Sequence, residues 1–142
     1  MKIVIDASVL IKWYLPEIHS LEAELLVNDL FEIQAPELLI TEFGNILWKK
    51  CKIAELSSEE SSIVADQMLT EDITFHPHAS LLRDSLRQAN ETGQTVHDWT
   101  YLTLALSLGA AFVTADRKFF LAIRRTRHKS SIIWVENIAS LL

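Results

Sequence analysis

The chain opens with a short apolar run that ends at a carboxylate. Ile3, Val4 and Ile5 are consecutive β-branched residues, and such a run is typical of a central strand covered on both faces in a parallel α/β sheet. Asp6 follows, and residues 7–14 are predicted to form the helix that leaves this strand. Ligands of open α/β sheets bind at the carboxyl ends of the strands, so Asp6 is a candidate functional residue. Taken alone, Asp6 is better explained as the cap of that helix.

The same arrangement recurs in the last third of the chain. Residues 110–114 are predicted to form a buried strand, and Asp116 lies between this strand and the next predicted helix. Asp98 precedes the most apolar helix, predicted at residues 99–108, which leads into that strand. Thr95 and Asp98 also match a capping box, which would give Asp98 a purely structural role.

Strands alternate with helices along the chain, which predicts an α/β fold with a mainly parallel central sheet of about five strands and helices on both sides. At 142 residues, the chain fits a single domain over residues 1–142. In this architecture Asp6 and Asp116 project from the same sheet edge, and Asp98 and Glu42 can approach them. The predicted strands are residues 3–5, 32–35, 73–75, 110–114 and 132–135, and the predicted helices begin near residues 7, 19, 36, 57, 77, 99 and 118.

Leucines at helical intervals predict two packed helices, one over residues 19–30 and one from Pro77 to about Gly93. The inward residues are expected to be Leu21, Leu25, Leu26 and Leu30 in the first helix, and Leu81, Leu82, Leu86 and Ala89 in the second. His76 and His78 flank Pro77. They are better explained as bystanders than as metal ligands, because no third ligand accompanies them.

Pro36 is predicted to begin a helix that runs to about Lys50 and carries Glu42. Glu42 stands beside Phe43 and the apolar stripe of this helix. A buried carboxylate costs free energy unless a cation or a donor meets it. From this helix alone, an exposed Glu42 that is free or paired with Lys49 is the better interpretation.

Composition limits the class of protein. Cys51 is the single cysteine and cannot form an internal disulfide, which suits a cytoplasmic protein. Asp6 interrupts the opening apolar run, so we expect no secretory signal. The most apolar stretch, residues 101–113, is shorter than the roughly 20 residues of a membrane span. A net charge of −6 argues against nonspecific nucleic-acid binding. Residues 116–129, however, hold six Lys or Arg against one Asp, which fits a basic edge and a solvated helix face about equally well.

Four short motifs, taken together, resemble the PIN-domain ribonucleases, and most closely the VapC toxins of toxin–antitoxin pairs. They are residues 3–8 (IVIDAS), the helix of residues 36–50 with Glu42 and Asn45, residues 97–102 (HDWTYL) and residues 113–117 (VTADR). The resemblance implies that Mg²⁺ or Mn²⁺ is bound by Asp6, Glu42, Asp98 and Asp116. It also implies hydroxyl support from Ser8 and Thr114, and a polar role for Asn45. Trp99 departs from the family, which commonly has a small residue there.

The implied activity is metal-dependent endoribonuclease action on RNA phosphodiesters, because hard divalent cations prefer carboxylate oxygens and activate water. Our hypothesis is in-line attack by water that leaves a 5′-phosphate. The candidate contacts to the RNA backbone are Lys49, Arg117, Arg124 and Arg125. Trp13 and Trp99 could stack on bases, although a core position is the better interpretation for all four tryptophans. The resemblance further implies a cognate antitoxin that occludes the acidic pocket, and a homodimer.

Two alternatives remain at this stage. An aspartyl-nucleophile phosphatase also places Asp after its first strand, but Ser8 stands where that mechanism uses a second Asp. A metal-binding PIN-like interaction module without nuclease activity is the other alternative.

Overall fold

In a computed structural model that describes all of residues 1–142, the protein is built on one five-stranded parallel sheet with the strand order β3-β2-β1-β4-β5. The strands are β1 (Lys2–Ile5), β2 (Glu32–Pro36), β3 (Ile73–His76), β4 (Ala111–Thr114) and β5 (Ile132–Trp134). The central strand is β1, in which Ile3, Val4 and Ile5 are fully buried. The predicted sheet is therefore confirmed.

Helices flank this sheet on both sides. They are α1 (Ala7–Leu10), α2 (Ser20–Glu24), α3 (Leu38–Lys52), α4 (Ser58–Leu69), α5 (Leu82–Thr92), α6 (Val96–Leu108) and α7 (Arg117–Ile123). Short 3₁₀ segments at Ile11–Trp13, Ala79–Leu81, Lys129–Ser131 and Val135–Leu141 complete the chain. From the central β1, the chain adds β2 and β3 toward one edge of the sheet and then crosses back to add β4 and β5 toward the other edge. Because such crossovers are right-handed, the intervening helices lie on opposite faces.

The strand order sets the position of the candidate site. β1 pairs with β4 in parallel, with Ile5 opposite Val113. Asp6 and Asp116 follow these neighbouring strands, so both reach the same edge of the sheet. The chain leaves β1 toward β2 on one side and reaches β4 on the other, and this reversal of strand order is where open α/β sheets form their ligand crevice.

The predicted helix over residues 19–30 is largely wrong, since only α2 is α-helical there. Leu21 and Leu30 are exposed, and Leu26 is the buried leucine of this segment. The side chain of Asn28 accepts from the Leu30 N–H at 2.7 Å and donates to the Leu25 carbonyl at 3.2 Å. Such local bonds compete with helix propagation, which explains the early end.

The inward face predicted for the helix after Pro77 is also wrong in part. Leu82 and Leu86 are exposed, whereas Ser85 and Gln88 are buried. The Ser85 hydroxyl donates to the Thr103 hydroxyl of α6 at 3.0 Å. A small polar residue therefore occupies the contact between these helices, and apolar spacing alone could not indicate it.

Several helix ends follow the sequence signals. The Ser57–Glu60 capping box opens α4, and Gly93 and Gly109 end α5 and α6 with positive φ. Pro36 is a correction, because it belongs to β2 and α3 begins at Leu38.

His76 and His78 have structural partners. His76 Nε2 lies 2.7 Å from Gln34 Oε1, and His78 Nδ1 accepts the Leu38 N–H at the start of α3. Each histidine therefore has a structural hydrogen-bond partner, and its exclusion as a metal ligand stays a prediction. None of the helices combines the length and the apolarity needed to cross a membrane.

Candidate active site

The acidic residues singled out from the sequence line one cleft of about 420 Å³ at the carboxyl end of the sheet. They are Asp6, Glu42, Asp98 and Asp116. They come from the ends of β1 and β4, from α3 and from the first turn of α6. Ser8, Asn45 and Lys49 also line this acid cleft, as do His97 and Tyr101.

Asp6 is the most buried of the four acids of the acid cleft, at 8% exposed. Its Oδ1 accepts from the Ser8 hydroxyl at 2.5 Å and from the Val9 N–H at 3.1 Å, and its Oδ2 accepts from the Thr114 hydroxyl. Burial raises the pKa of Asp6 to about 6, although these donors oppose the shift, and the charge of Asp116 raises it further. Asp6 therefore caps α1, as predicted from the sequence, and also faces the cleft.

The two hydroxyls near Asp6 tie the end of β1 to the end of β4. Ser8 Oγ accepts the Ala115 N–H at 3.1 Å, and Thr114 Oγ1 accepts the Asp116 N–H at 3.0 Å. Thr114 is fully buried. Each hydroxyl thus donates to Asp6 and accepts from the loop after β4, which fixes the separation of Asp6 and Asp116.

Asp98 is placed by the start of α6. The Thr95 hydroxyl accepts the Asp98 N–H at 3.1 Å, but the return bond of a capping box is absent. The Asp98 carboxylate lines the acid cleft. Burial raises the pKa of Asp98, and the charges of Asp116 and Glu42 raise it further, whereas the neighbouring Thr95 hydroxyl lowers it. Asp116 itself caps α7 by accepting the Phe119 N–H at 3.2 Å.

Glu42 is half-buried, and its Oε1 accepts from the Tyr101 hydroxyl at 2.5 Å. The expected exposed Glu42, free or paired with Lys49, is therefore wrong. The Tyr101 ring is 3% exposed and stacks on Phe112, with centroids 5.7 Å apart. Burial, together with Glu42, raises the pKa of the Tyr101 phenol, which keeps it a donor. No role was predicted for Tyr101 from the sequence, although it lies three residues after Asp98 and shares its helix face.

The candidate cations differ in position. Lys49 lines the acid cleft, whereas Arg117, Arg124 and Arg125 are exposed and do not line it. Arg117 lies over the Trp134 ring at 5.8 Å, and Arg124 lies over Phe120 at 5.6 Å.

Three of the four tryptophans are at least partly packed. Trp99 is fully buried and donates to the Thr92 hydroxyl at 2.8 Å, so its indole is not available to a base. Trp13 is half-buried and donates to the Ala23 carbonyl, and Trp134 is likewise half-buried. Trp48 is 55% exposed, so a core position is wrong for this residue. Trp48 lies on the solvent side of α3, next to the buried Leu47.

The donor set of the acid cleft fits a hard divalent cation. Its side chains offer carboxylate oxygens, and the raised pKa values of Asp6 and Asp98 reflect burial and negative neighbours without a compensating cation. No three acidic, histidine or cysteine side chains are close enough in this structure to hold one ion together. Mg²⁺ is commonly bound through one or two carboxylates and keeps several waters. The arrangement therefore suits Mg²⁺ or Mn²⁺ held by a subset of these acids.

Residues 4–132 match the PIN domain family. The chain is 32% identical over 120 residues to Ribonuclease VapC3 of Pyrobaculum aerophilum, and the match covers 83% of this chain and 92% of that protein. The crystal structure of PAE2754 from Pyrobaculum aerophilum is similar with a TM-score of 0.74 and 25% identity, and the match covers 99% of this chain and 98% of that chain. VapBC-1 of nontypeable Haemophilus influenzae shares the fold with a TM-score of 0.57 at 18% identity, over 94% of this chain and 96% of that chain.

Proposed function

The chain belongs to the PIN domain family, and from this premise we propose that it is a metal-dependent endoribonuclease that hydrolyses RNA phosphodiester bonds. The observation that carries the proposal is that four acidic residues line one cleft. They are Asp6, Glu42, Asp98 and Asp116. A relative that is 32% identical over most of the chain is named a ribonuclease, which supports the same reaction for this protein.

The residues of the acid cleft have separable roles in this reaction. The chemistry supplied by a bound Mg²⁺ or Mn²⁺ is neutralisation of charge on the phosphate and activation of water. A subset of the four carboxylates would hold the ion, and Asp6 and Glu42 are oriented for this by the hydroxyls of Ser8, Thr114 and Tyr101. Lys49 lines the acid cleft and would contact the RNA backbone beside it. In-line attack by water leaves a 5′-phosphate and requires no histidine base.

The biological role we propose is that of a VapC-type toxin in the cytoplasm, paired with an antitoxin that covers the acid cleft. The relative named VapC3 and the shared fold of VapBC-1 support this role. Large exposed apolar side chains, such as Ile18, Leu21 and Trp48, leave surface for an antitoxin and for a second copy of the chain.

A second candidate is a metal-binding module without nuclease activity. It is favoured because no three acids stand within reach of one ion in this structure, so an ion would be held by one or two carboxylates and the multi-acid arrangement that the nuclease needs is not assembled. The phosphatase alternative is disfavoured, because Ser8 stands where that mechanism uses a second Asp and its hydroxyl donates to Asp6 Oδ1.

The first test is incubation of the purified protein with total RNA, with Mg²⁺ and separately with a chelator. We expect cleavage with Mg²⁺ and none with the chelator, and sequencing of the products should show new 5′-phosphate ends. A chain that binds Mg²⁺, seen as a rise in melting temperature, but leaves every RNA intact would support the inert module and contradict the nuclease.

Tyr101→Phe should weaken metal binding without creating a cavity in the hydrophobic core. The substitution keeps the ring on Phe112 but removes the donor to Glu42. Loss of such a supporting bond typically lowers metal affinity by about tenfold or more, so the Mg²⁺ concentration for half-maximal cleavage should rise by about that factor. The matched control is Tyr14→Phe, which removes a hydroxyl bond to Glu71 outside the acid cleft. Equal Mg²⁺ requirements in the two variants would show that Tyr101 does not position Glu42.

A further inference from the structure

A second pocket of about 370 Å³ adjoins the acid cleft. The two share Ser8, Ile46 and Lys49 as lining residues. The second pocket also contains Lys12 and Lys50, and we call it the lysine pocket after Lys12, Lys49 and Lys50. The lysine pocket, with three ammonium groups, is thus directly next to the acid cleft, with its four carboxylates.

The ammonium groups of the lysine pocket are only partly neutralised. Glu17 bridges two of them, with Oε1 at 3.1 Å from Lys12 Nζ and Oε2 at 3.3 Å from Lys50 Nζ. Lys50 also contacts Glu55 at 3.2 Å. Lys12 is 9% exposed and so is a nearly buried cation. Lys49 forms no ion pair, although it stands on the wall between the two pockets.

We propose that the lysine pocket binds a backbone phosphate of the same RNA strand, next to the phosphate under attack in the acid cleft. The inference rests on the proposed nuclease function. A strand held in the acid cleft carries further phosphates on either side, and the carboxylates there repel them. The neighbouring cationic pocket offers those phosphates an attractive surface. Lys49, unpaired and common to both pockets, is placed to contact the strand where it passes from one to the other.

The chemistry of these side chains also defines what the lysine pocket contributes. Ammonium groups bind phosphate as point charges, and contacts to backbone phosphates carry no sequence information. The pocket therefore adds affinity and fixes the direction of the strand, but it adds no sequence preference. Glu17 holds Lys12 and Lys50 in place and, because it neutralises them in part, limits the strength of binding.

The test measures RNA binding by the full chain carrying Asp98→Asn, which prevents turnover. The probe is a fluorescent single-stranded RNA of about 12 nucleotides, titrated at several salt concentrations with constant Mg²⁺. Adding Lys49→Gln should weaken binding about fivefold and make the salt dependence shallower by about 0.7 in the log–log slope, the value for one contact to a single strand. The matched control is Lys52→Gln, which removes an exposed ammonium that lies over Trp48 on the same helix and outside both pockets.

Glu17→Gln separates a phosphate site from a purely structural ion-pair network. If the pocket binds phosphate, this substitution should tighten RNA binding and steepen the salt slope. Lys12 then has no carboxylate partner and Lys50 keeps Glu55 alone, while the amide oxygen of Gln can still accept a hydrogen bond from either lysine and keep it in place. Weaker or unchanged binding by Glu17→Gln would overturn the proposal. Equal RNA binding by the Lys49→Gln and Lys52→Gln chains would also overturn it. The lysine pocket would then either bind an acidic segment of a protein or serve only to stabilise the fold. Cleavage of RNA by the chain with Asp98 intact tests the nuclease function separately.

Discussion

Replacing Asp98 by Asn should abolish RNA cleavage while leaving the fold intact. Asp98 faces the acid cleft with a carboxylate that no backbone group holds. Asn keeps the shape but loses the negative charge that a divalent cation needs. Metal ions contribute several kcal/mol of transition-state stabilisation, so we expect the rate to fall by about a thousandfold or more. The measurement is cleavage of labelled RNA under single-turnover conditions with saturating Mg²⁺.

The matched control for this prediction is Asp84→Asn. Asp84 is an exposed residue of α5 that pairs with Arg87 at 3.1 Å and does not line the acid cleft. It makes the same chemical change on the surface, so cleavage should remain at the wild-type rate. If Asp98→Asn cuts RNA with Mg²⁺ as fast as Asp84→Asn does, Asp98 has no catalytic role.

Local signals in the sequence were enough to predict the sheet and the positions of the aspartates. The β-branched run before Asp6 indicated a strand covered on both faces, and the structure places it at the centre of the sheet. Strand, acid and helix recur around Asp116, and parallel pairing brings both acids to one edge. Caps and glycines fixed the helix ends at Ser57, Thr95 and Gly109 because each acts on its own backbone.

Contacts between distant parts of the chain could not be predicted in the same way. The bond from Tyr101 to Glu42 joins residues 59 positions apart, and neither side chain indicates the other. The leucines of residues 19–30 have helical spacing, but the Asn28 side chain bonds to the Leu25 carbonyl and the Leu30 N–H and stabilises a turn there instead of a helix. The inward position of Ser85 follows from how closely α5 approaches α6. Periodicity reports apolar faces and does not report such tertiary contacts.

Asp6→Asn is expected to stabilise the metal-free protein while it removes activity. Burial makes the ionised carboxylate unfavourable in the fold, and a pKa raised from 3.8 to about 6 corresponds to about 3 kcal/mol at neutral pH. Asn carries no charge to desolvate but cannot accept all the bonds that Asp6 accepts from Ser8, Val9 and Thr114. The net gain should be about 2 kcal/mol in the free energy of unfolding, a rise of about 4–8 °C in melting temperature.

The pH dependence of this gain tests its cause. Below pH 4, Asp6 is protonated in both the folded and the unfolded chain, so the charge effect disappears and Asp6→Asn should be less stable than the wild type by about 1 kcal/mol, the cost of its lost hydrogen bonds. Between pH 4 and 6 the unfolded chain ionises while the fold retains the proton, so the stability of the wild type falls as pH rises relative to that of the variant. Above pH 6 the gap should stay constant. Urea unfolding in chelator from pH 4 to 7, with Asp84→Asn beside it, measures this gap. A stability difference that does not change with pH would show that burial does not raise the pKa of Asp6. Ionised Asp6 would then not destabilise the metal-free protein.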